Sequence, residues 1–498
     1  MTYSTLLSLL LTTPSGEERS PQLPPLPPTL IPHLQDLVRL LQTFRDQPVT
    51  PAATRDFELQ LQQRLQQLGL DLCDWALNHL EAEDPRHMPP RLDSGGERYR
   101  RRDRSPNTIA TLFGTLTLHR YLYEDLEPGN PCLFPLEQRL GIVAAAATPA
   151  LAERASWWLA QRPQKGTLEV LARDHGVKWS VPTLRAVTAA FTAGLEEHRQ
   201  EAQVEQVLAW LEQASHSRGR HRPVLVAGRD GIHLPMRAAG YKEGATATLT
   251  VYDRRGRRLG TVYLGCMPQP GQGTLSQQLT ALIEAVLRRW QGPLPRLGYV
   301  TDGGHHPAAY FRDTLARRKH PRTGEPLQWQ RIVDFYHASE YVQQMAEALF
   351  GDTAPARSWA RRMRRRLKEK DGVKRLLQAA TYAVAACGLK GSRWREYLKA
   401  YRYLRRHGKW MKYWDYARLG LPLGSGVTEA ACKVVFTQRL KQSGMRWEVS
   451  SGQVVVTLRV VLLSRVWDQA VVRMLNQQTF GWLGVEHLSP SEKAENAA

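Results

Sequence analysis

The sequence predicts an α/β fold whose sheet-forming part is interrupted by an all-α block and preceded by a mostly helical region. Two patterns carry this. From residue 222, apolar runs of strand length alternate with helical spacing: "PVLVAGRDGIHL", "ATATLTVYD", "RRLGTVYLGCM", "RLGYVTDGG" and "QRIVDFYH". Residues 338–420 then show helical spacing only, rich in Arg and Trp. Strands interleaved with helices make an α/β layout, and a long helical stretch inside it reads as an insertion.

In chain order, residues 1–32 form a Pro-rich leader containing "PQLPPLPPTLIP". The apolar "LLSLLL" at 6–11 has no basic segment before it, so it does not read as a signal peptide. Residues 33–96 form an N-terminal helical region, with helical apolar spacing in "FELQLQQRLQQLGLDLCDWALNHL". Residues 97–205 open with "ERYRRRDRSPNT", an arginine cluster, and an alternating stretch from Thr111 to Tyr123 that predicts a strand pair behind it. Within the same region, "TLEVLARDHGVKWSVPTLRAVTAAF" reads as helix, turn at His175-Gly176-Val177, and a second helix capped by Ser180. That is helix-turn-helix spacing, which assigns base reading to the second helix and to Arg185. Any helix–Gly–helix corner has a similar pattern.

The segment 222–337 holds the first part of the sheet. "ATATLTVYD" and "RRLGTVYLGCM" flank "RRGR" as a hairpin, with helices expected at 275–290 and about 306–319. Residues 421–476 return to the same core with a helix at 425–441 and a long helix at about 449–476. The tail, 477–498, reads as disordered.

Composition bounds the function. The 498 residues hold 68 Lys and Arg against 47 Asp and Glu, a net charge of +21. Such a surplus points to a polyanion, foremost double-stranded DNA. Five dispersed cysteines with no CxxC indicate neither a zinc ribbon nor a disulfide scaffold, and fit a reducing cytoplasm. No apolar run approaches the ~20 residues of a membrane span.

Acids stand where chemistry usually occurs. Asp230 and Asp302 each end an apolar run and precede Gly. In "GSGVTEAACK", Glu429 falls in one row with Cys432, Lys433, Phe436 and Leu440 on a helix apolar on both sides. A carboxylate there needs a partner. That partner is either Lys433, one turn on, or a cation shared with the two aspartates. Three such carboxylates suit Mg²⁺, with Mn²⁺ as an alternative, and two ions support in-line phosphoryl transfer. A rival grouping uses three D-x-x-H pairs, Asp230/His233, Asp302/His305 and Asp334/His337, and suits a zinc or manganese hydrolase.

The runs "VTDGG", "VDFYHASEYV" and above all "PLGSGVTEAACKVVFTQRLKQSGMRW" resemble the ISKra family of bacterial insertion-sequence transposases, DDE enzymes distantly similar to the Mutator-like group. The resemblance covers roughly residues 100–475. It implies an RNase H-like core with catalytic, metal-holding acids at Asp230, Asp302 and Glu429. It implies that "DFYH" places Asp334 and His337 on the last core strand, where they position a DNA strand. The 126 residues between Asp302 and Glu429 accommodate the all-α insertion. Phosphate contacts fall on Lys433, Arg439, Lys441 and Arg446, and base stacking on Trp410 or Trp414. The expected partners are terminal inverted repeats and target DNA, bound by a homo-oligomer in the bacterial cytoplasm beside the nucleoid. Many such transposases carry a cysteine-rich zinc element. Here "YLYEDLEPGNPC" has Cys132 alone, so zinc is not expected. A nuclease that cuts without joining, and a retired transposase acting as a DNA-binding regulator, are the competing functions.

Overall fold

The computed structural model describes residues 27–94, 96–126, 131–238 and 240–477. The tail, and the leader up to residue 26 with its "LLSLLL", lie outside the described residues. The described residues up to Arg139, with the turn His175–Val177, form one compact unit. Leu140–Asp174 and the residues from Lys178 form the other.

The first unit opens with α1 (Leu30–Asp46) and α2 (Pro51–Asn78). Thr50 caps α2 by accepting from Ala53 N at 3.1 Å, and Pro51 occupies its first turn. The helices run antiparallel, since His33 meets Asp71 at 2.7 Å while Phe44 stacks on Phe57. An antiparallel sheet follows: β1 (Arg91–Ser94), β2 (Glu97–Thr111) and β3 (Gly114–Asp125). The arginine cluster lies on β2 itself, not ahead of the strand pair. Its side chains find partners across the ladder, Arg102 on Glu124 at 2.6 Å and Arg104 on the His119 carbonyl at 3.0 Å. β1 also falls inside the stretch expected to be helical, because Leu92 pairs with the buried Tyr99. A short α3 (Pro135–Arg139) closes this unit.

The second unit starts with α4 (Pro149–Gln161), α5 (Gln164–His175) and α6 (Val181–His216). Ser180 caps α6 as the sequence predicts, accepting from Thr183 N at 3.2 Å. The boundary expected near residue 205 does not exist. α6 runs for 36 residues, and Val204, Val207, Leu211 and Ala214 enter the core of the following sheet.

That sheet has five strands in the order β6-β5-β4-β7-β8: β4 (Val224–Met236), β5 (Gly240–Tyr252), β6 (Arg258–Cys266), β7 (Arg296–Thr301) and β8 (Trp329–Val333). β5 runs antiparallel to both its neighbours, β4 and β6, whereas β7 and β8 run parallel to β4. Between β6 and β7 lies α7 (Gly273–Arg289), and between β7 and β8 lies α8 (His305–Asp313), shorter than predicted. Side chains alternate across the sheet. Leu225, Ala227, Leu297 and Tyr299 share a core with α6 and α7. Val224, Val226, Val300 and Ile332 share a core with the helices that follow β8.

Those helices are α9 (Phe335–Phe350), α10 (Ala354–Leu367), α11 (Gly372–Cys387), α12 (Gly391–His407) and α13 (Tyr413–Arg418). The block is all-α as predicted, but it begins at Phe335. Asp334 and His337 therefore lie at a helix start, not on the last strand. Tyr413 and Tyr416 fasten its far end to β8 by donating to the carbonyls of Val333 and Arg331, each at 2.9 Å.

The chain then returns through α14 (Gly426–Ala431), a π turn (Cys432–Thr437) and α15 (Gln438–Leu440). The π turn alters the 100° spacing assumed for the Glu429 row. Arg459 donates to the carbonyls of Val434 and Val435 within it, taking acceptors that a regular ladder would use. The expected long C-terminal helix is two, α16 (Val449–Leu463) and α17 (Trp467–Gln477), bent by 112°. The bend sits where Arg465 takes a left-handed backbone and where Ser464 Oγ accepts from Tyr263 N at 2.9 Å. No single helix among the described residues is long and apolar enough to cross a membrane.

Arg459 also donates to the Ala160 carbonyl at 2.6 Å, and burial holds its guanidinium down at about 10. Arg459→Leu strands these carbonyls and is expected to lower unfolding free energy by about 3 kcal/mol, measured by denaturant melts.

Candidate active site

Strand register brings three aspartates level. β4 and β7 pair in parallel up to Gly228 and Val300, and β7 and β8 up to Thr301 and Val333. Continued past those ends, the same register sets Asp230, Asp302 and Asp334 side by side. Asp230 does not end its strand: β4 continues to Met236, paired with β5 alone. Asp230 stands where β7 has dropped away, so an edge is open beside it. Its parity is that of Val226, and that of Asp302 is that of Val300, so both belong to the face toward the all-α block.

Glu429 reaches this face because Gly228 makes room. A Cβ on Gly228 would lie 2.1 Å from Thr428 Oγ1, and Thr428 in turn meets Thr248 Oγ1 at 2.9 Å. One turn later the Cys432 thiol donates to Asp230 Oδ2 at 3.3 Å. Two contacts thus seat the Glu429 helix against β4 and β5.

Asp334 holds the helix start from the other side. It is fully buried, and its carboxylate accepts from Tyr336 N, from His337 N at 3.2 Å, from Ser425 N at 2.5 Å and from the Ser425 hydroxyl. Ser425 Oγ also lies 2.8 Å from Glu429 Oε1. The Ser425 hydroxyl does not cap its own helix but is directed to Asp334 and Glu429. Of the two partners that the sequence offers Glu429, Lys433 is disfavoured. Lys433 is exposed, and among the described residues no ion pair joins it to Glu429.

A cavity of about 240 Å³ is lined by Asp230, Asp302, Glu429, Ser425, Arg229, Tyr336, His337 and Glu340. The three carboxylates of the expected triad thus share its walls. Burial raises the Asp230 carboxyl above its ordinary range, and Asp302 and Glu429 push the same way. The Cys432 thiol and the Gly231 N–H oppose the shift. Asp302 is fixed by its own loop, where Oδ1 accepts from Gly304 N at 2.8 Å and its carbonyl accepts from Tyr403 OH at 2.8 Å. Tyr403 stacks on Tyr341 with ring centres 3.7 Å apart, and His337 meets both rings edge-on.

Oxygen donors with no ion-paired side chain among the described residues suit a hard divalent ion such as Mg²⁺. Among the described residues, no three His, Cys, Asp or Glu side chains stand in metal-holding geometry. The donor set fits by its chemistry and its shared cavity, not by a ready-made arrangement of ligands. The D-x-x-H grouping is not assembled: of the three histidines only His337 lines the cavity, while His233 and His305 are exposed elsewhere.

Several expected DNA contacts need correction. Asp334 cannot touch a DNA strand, since it has no accessible surface. Arg439 is buried, donates to the Leu159 carbonyl at 3.1 Å and is pushed down to about 10 by burial and by Arg459. Trp410 is half-buried between Arg331, 3.7 Å from its ring centre, and Lys409 at 4.3 Å. Lys433, Lys441, Arg446 and Trp414 are exposed, as is Arg185 beside Gln164. Sequence reading missed Ser425, Tyr403, Cys432 and Glu340 as parts of the site. Ser425, Cys432 and Glu340 lie inside the quoted motifs, whereas no motif marks Tyr403 within the helical block.

Compared with protein-family models and with curated protein sequences, the chain matches none.

Two outcomes follow. A carboxyl raised on folding makes the folded state bind more protons than the unfolded one, so stability falls as pH rises through that window. Asp230→Asn is therefore expected to melt higher than wild type at pH 7 without divalent ions, and the gap should close in acid, below the ordinary aspartate pKa. Gly228→Ala should destabilise the fold by about 1–3 kcal/mol through overpacking against Thr428, read by thermal melts.

Proposed function

We propose that this chain is a DDE transposase, which cuts DNA at the ends of a mobile element and joins them to a target. The observation that carries the reading is the convergence of Asp230, Asp302 and Glu429 on one cavity. They come from two adjacent parallel strands and a helix more than a hundred residues further on. The strand order supports an RNase H-like core: three antiparallel strands, then two parallel ones, with acids on the central strand and its parallel neighbour. The net charge of +21 supports a polyanionic substrate.

In this reading Asp230, Asp302 and Glu429 would hold divalent cations, Mg²⁺ or Mn²⁺. Such ions, when bound, stabilise the attacking and leaving oxygens of phosphoryl transfer. Asp334 and Ser425 act through Glu429 by fixing the start of its helix. Tyr403 fixes the Asp302 loop. Lys433, Lys441 and Arg446 contact phosphates, and α6 with Arg185 reads the element end in a helix-turn-helix arrangement.

The same reading assigns a place to an unpaired strand beside the cut. Between α11, α12 and α13 lies an open cavity of about 800 Å³, lined among others by Lys374, Tyr382, Tyr401, Arg405, Lys412 and Trp414. Exposed rings among cations suit base stacking and phosphate contact. α12 separates this cavity from the acids: Tyr403 meets Asp302, while Tyr401 and Arg405 line the cavity.

The decisive experiment incubates the chain with element-end DNA and Mg²⁺ and scores cut and joined products separately. Both products are expected. Cutting without joining identifies a nuclease, and binding without cutting a regulator. Asp230→Ala, Asp302→Ala or Glu429→Ala should each lower cleavage by about a thousandfold or more, with end binding kept. With 2-aminopurine flanking the cut, fluorescence should rise on binding. It should rise less with Trp414→Ala and be unaltered with Trp410→Ala, and an equal rise in all three would remove Trp414 from the DNA path.

A further inference from the structure

Arg229 precedes Asp230 on β4 and turns to the opposite face of the sheet, its guanidinium aimed at the first turn of α7. Only 2% of the residue is exposed. A guanidinium keeps its charge when buried, and such a charge ordinarily has an anion beside it. Here it has neutral partners. Nη1 donates to Ser276 Oγ at 2.8 Å, Nη2 donates to Gln272 Oε1 at 3.0 Å, and the Tyr310 ring centre lies 4.7 Å away. Among the described residues, Nε has no hydrogen-bond partner and no ion pair includes Arg229. Glu243, on the same face of the sheet, ends over Gly231 and forms no ion pair with it.

The surroundings add donors, not acceptors. α7 has 17 residues, and no side chain caps its start. The N–H groups there carry the positive end of the helix dipole. A cation at that end is unfavourable, so the helix start and Arg229 repel each other until an anion joins them. Gln269, just before the turn Pro270–Gln272, adds another donor. Its Oε1 accepts from Thr274 Oγ1 at 2.8 Å, which holds the amide at the first turn of α7, and its Nε2 is buried without a partner. The approach from solvent is open. Gly271, Gly273 and Thr274 are exposed, and a Cβ on either glycine would meet nothing within 4 Å.

We propose that the start of α7 is a phosphate-binding site, with Arg229 as its buried counter-charge. Phosphate suits the set because backbone and amide N–H donors converge there beside a guanidinium, which can pair with two oxygens of one anion. Gln272 Oε1 holds the place of one such oxygen. On binding, the Gln272 amide turns outward and the phosphate accepts from Nη2 in its stead. The site lies across the sheet from the acid-lined cavity and stands whether or not the chain cuts DNA.

The test follows the thermal melt of the full chain at fixed ionic strength while inorganic phosphate replaces chloride in the low millimolar range. Wild type is expected to gain about 2 °C or more, with saturation. Gln272→Glu puts a carboxylate where the amide oxygen now meets Nη2. It should melt above wild type without phosphate and lose the phosphate gain. Gln277→Glu, exposed further along α7, should keep the gain. Arg229→Met should lose it, and if that variant fails to fold, Gln272→Glu decides. No saturating gain in wild type, or an equal gain in Gln272→Glu, overturns the site. Titration with duplex DNA then separates the sources of the phosphate. Binding by Gln272→Glu several-fold weaker than by Gln277→Glu assigns the site to a backbone phosphate, and equal binding assigns it to free phosphate or a small phosphate ester.

Discussion

The candidate site depends on one buried carboxylate. Asp334 takes hydrogens from two amides at the start of α9 and from the amide and hydroxyl of Ser425. It is at once the cap of the all-α block and the anchor of the Glu429 helix. A buried charge is tolerable when donors surround it, and here the donors belong to segments ninety residues apart in sequence. Removing the carboxylate would release both the block and the helix, so the insertion and the site share a single fastening.

The fold was legible in sequence where the pattern was local. The five strands of the central sheet, their hairpin turn and the all-α block follow from apolar periodicity, which reports burial on one or two faces. The capping of α6 follows from Ser180 and Pro182. What sequence could not give was whatever depends on a distant partner. The π turn takes hydrogen bonds from Arg459, which arrives from α16, and the buried Arg439 finds its acceptor on the Leu159 carbonyl. Read alone, Arg439 looks like a phosphate contact, and Arg459 is a charge within an apolar helix whose partner the sequence does not name. The length of α6 was missed for a similar reason: its second half is defined by the sheet it supports.

The acids were legible by their position, and their surroundings were not. Asp230 and Asp302 stood out as acids closing apolar runs, and the shared parallel register explains why that position matters. Asp334 has the same register and a different fate, since the loop before Glu429 covers it. Three residues with one sequence signature, D-x-x-H, thus divide into two that line the open cavity and one that is structural. The difference lies in what packs over each, which spacing alone does not encode.

The span of these contacts bears on how the molecule is made. Ala160 binds Arg459, Asp230 binds Cys432, and Asp334 binds Ser425. Loops this long close late, because chain entropy must be overcome before the contact exists. During synthesis the sheet and the all-α block can form while the ribosome is still extending the chain. The acid-lined cavity cannot, since its last wall and the arginine that shapes that wall are among the final segments to emerge. A chain cut short by a frameshift or an early stop would retain its basic surfaces and lack a completed centre. The acid-lined cavity is thus completed only when translation is nearly over.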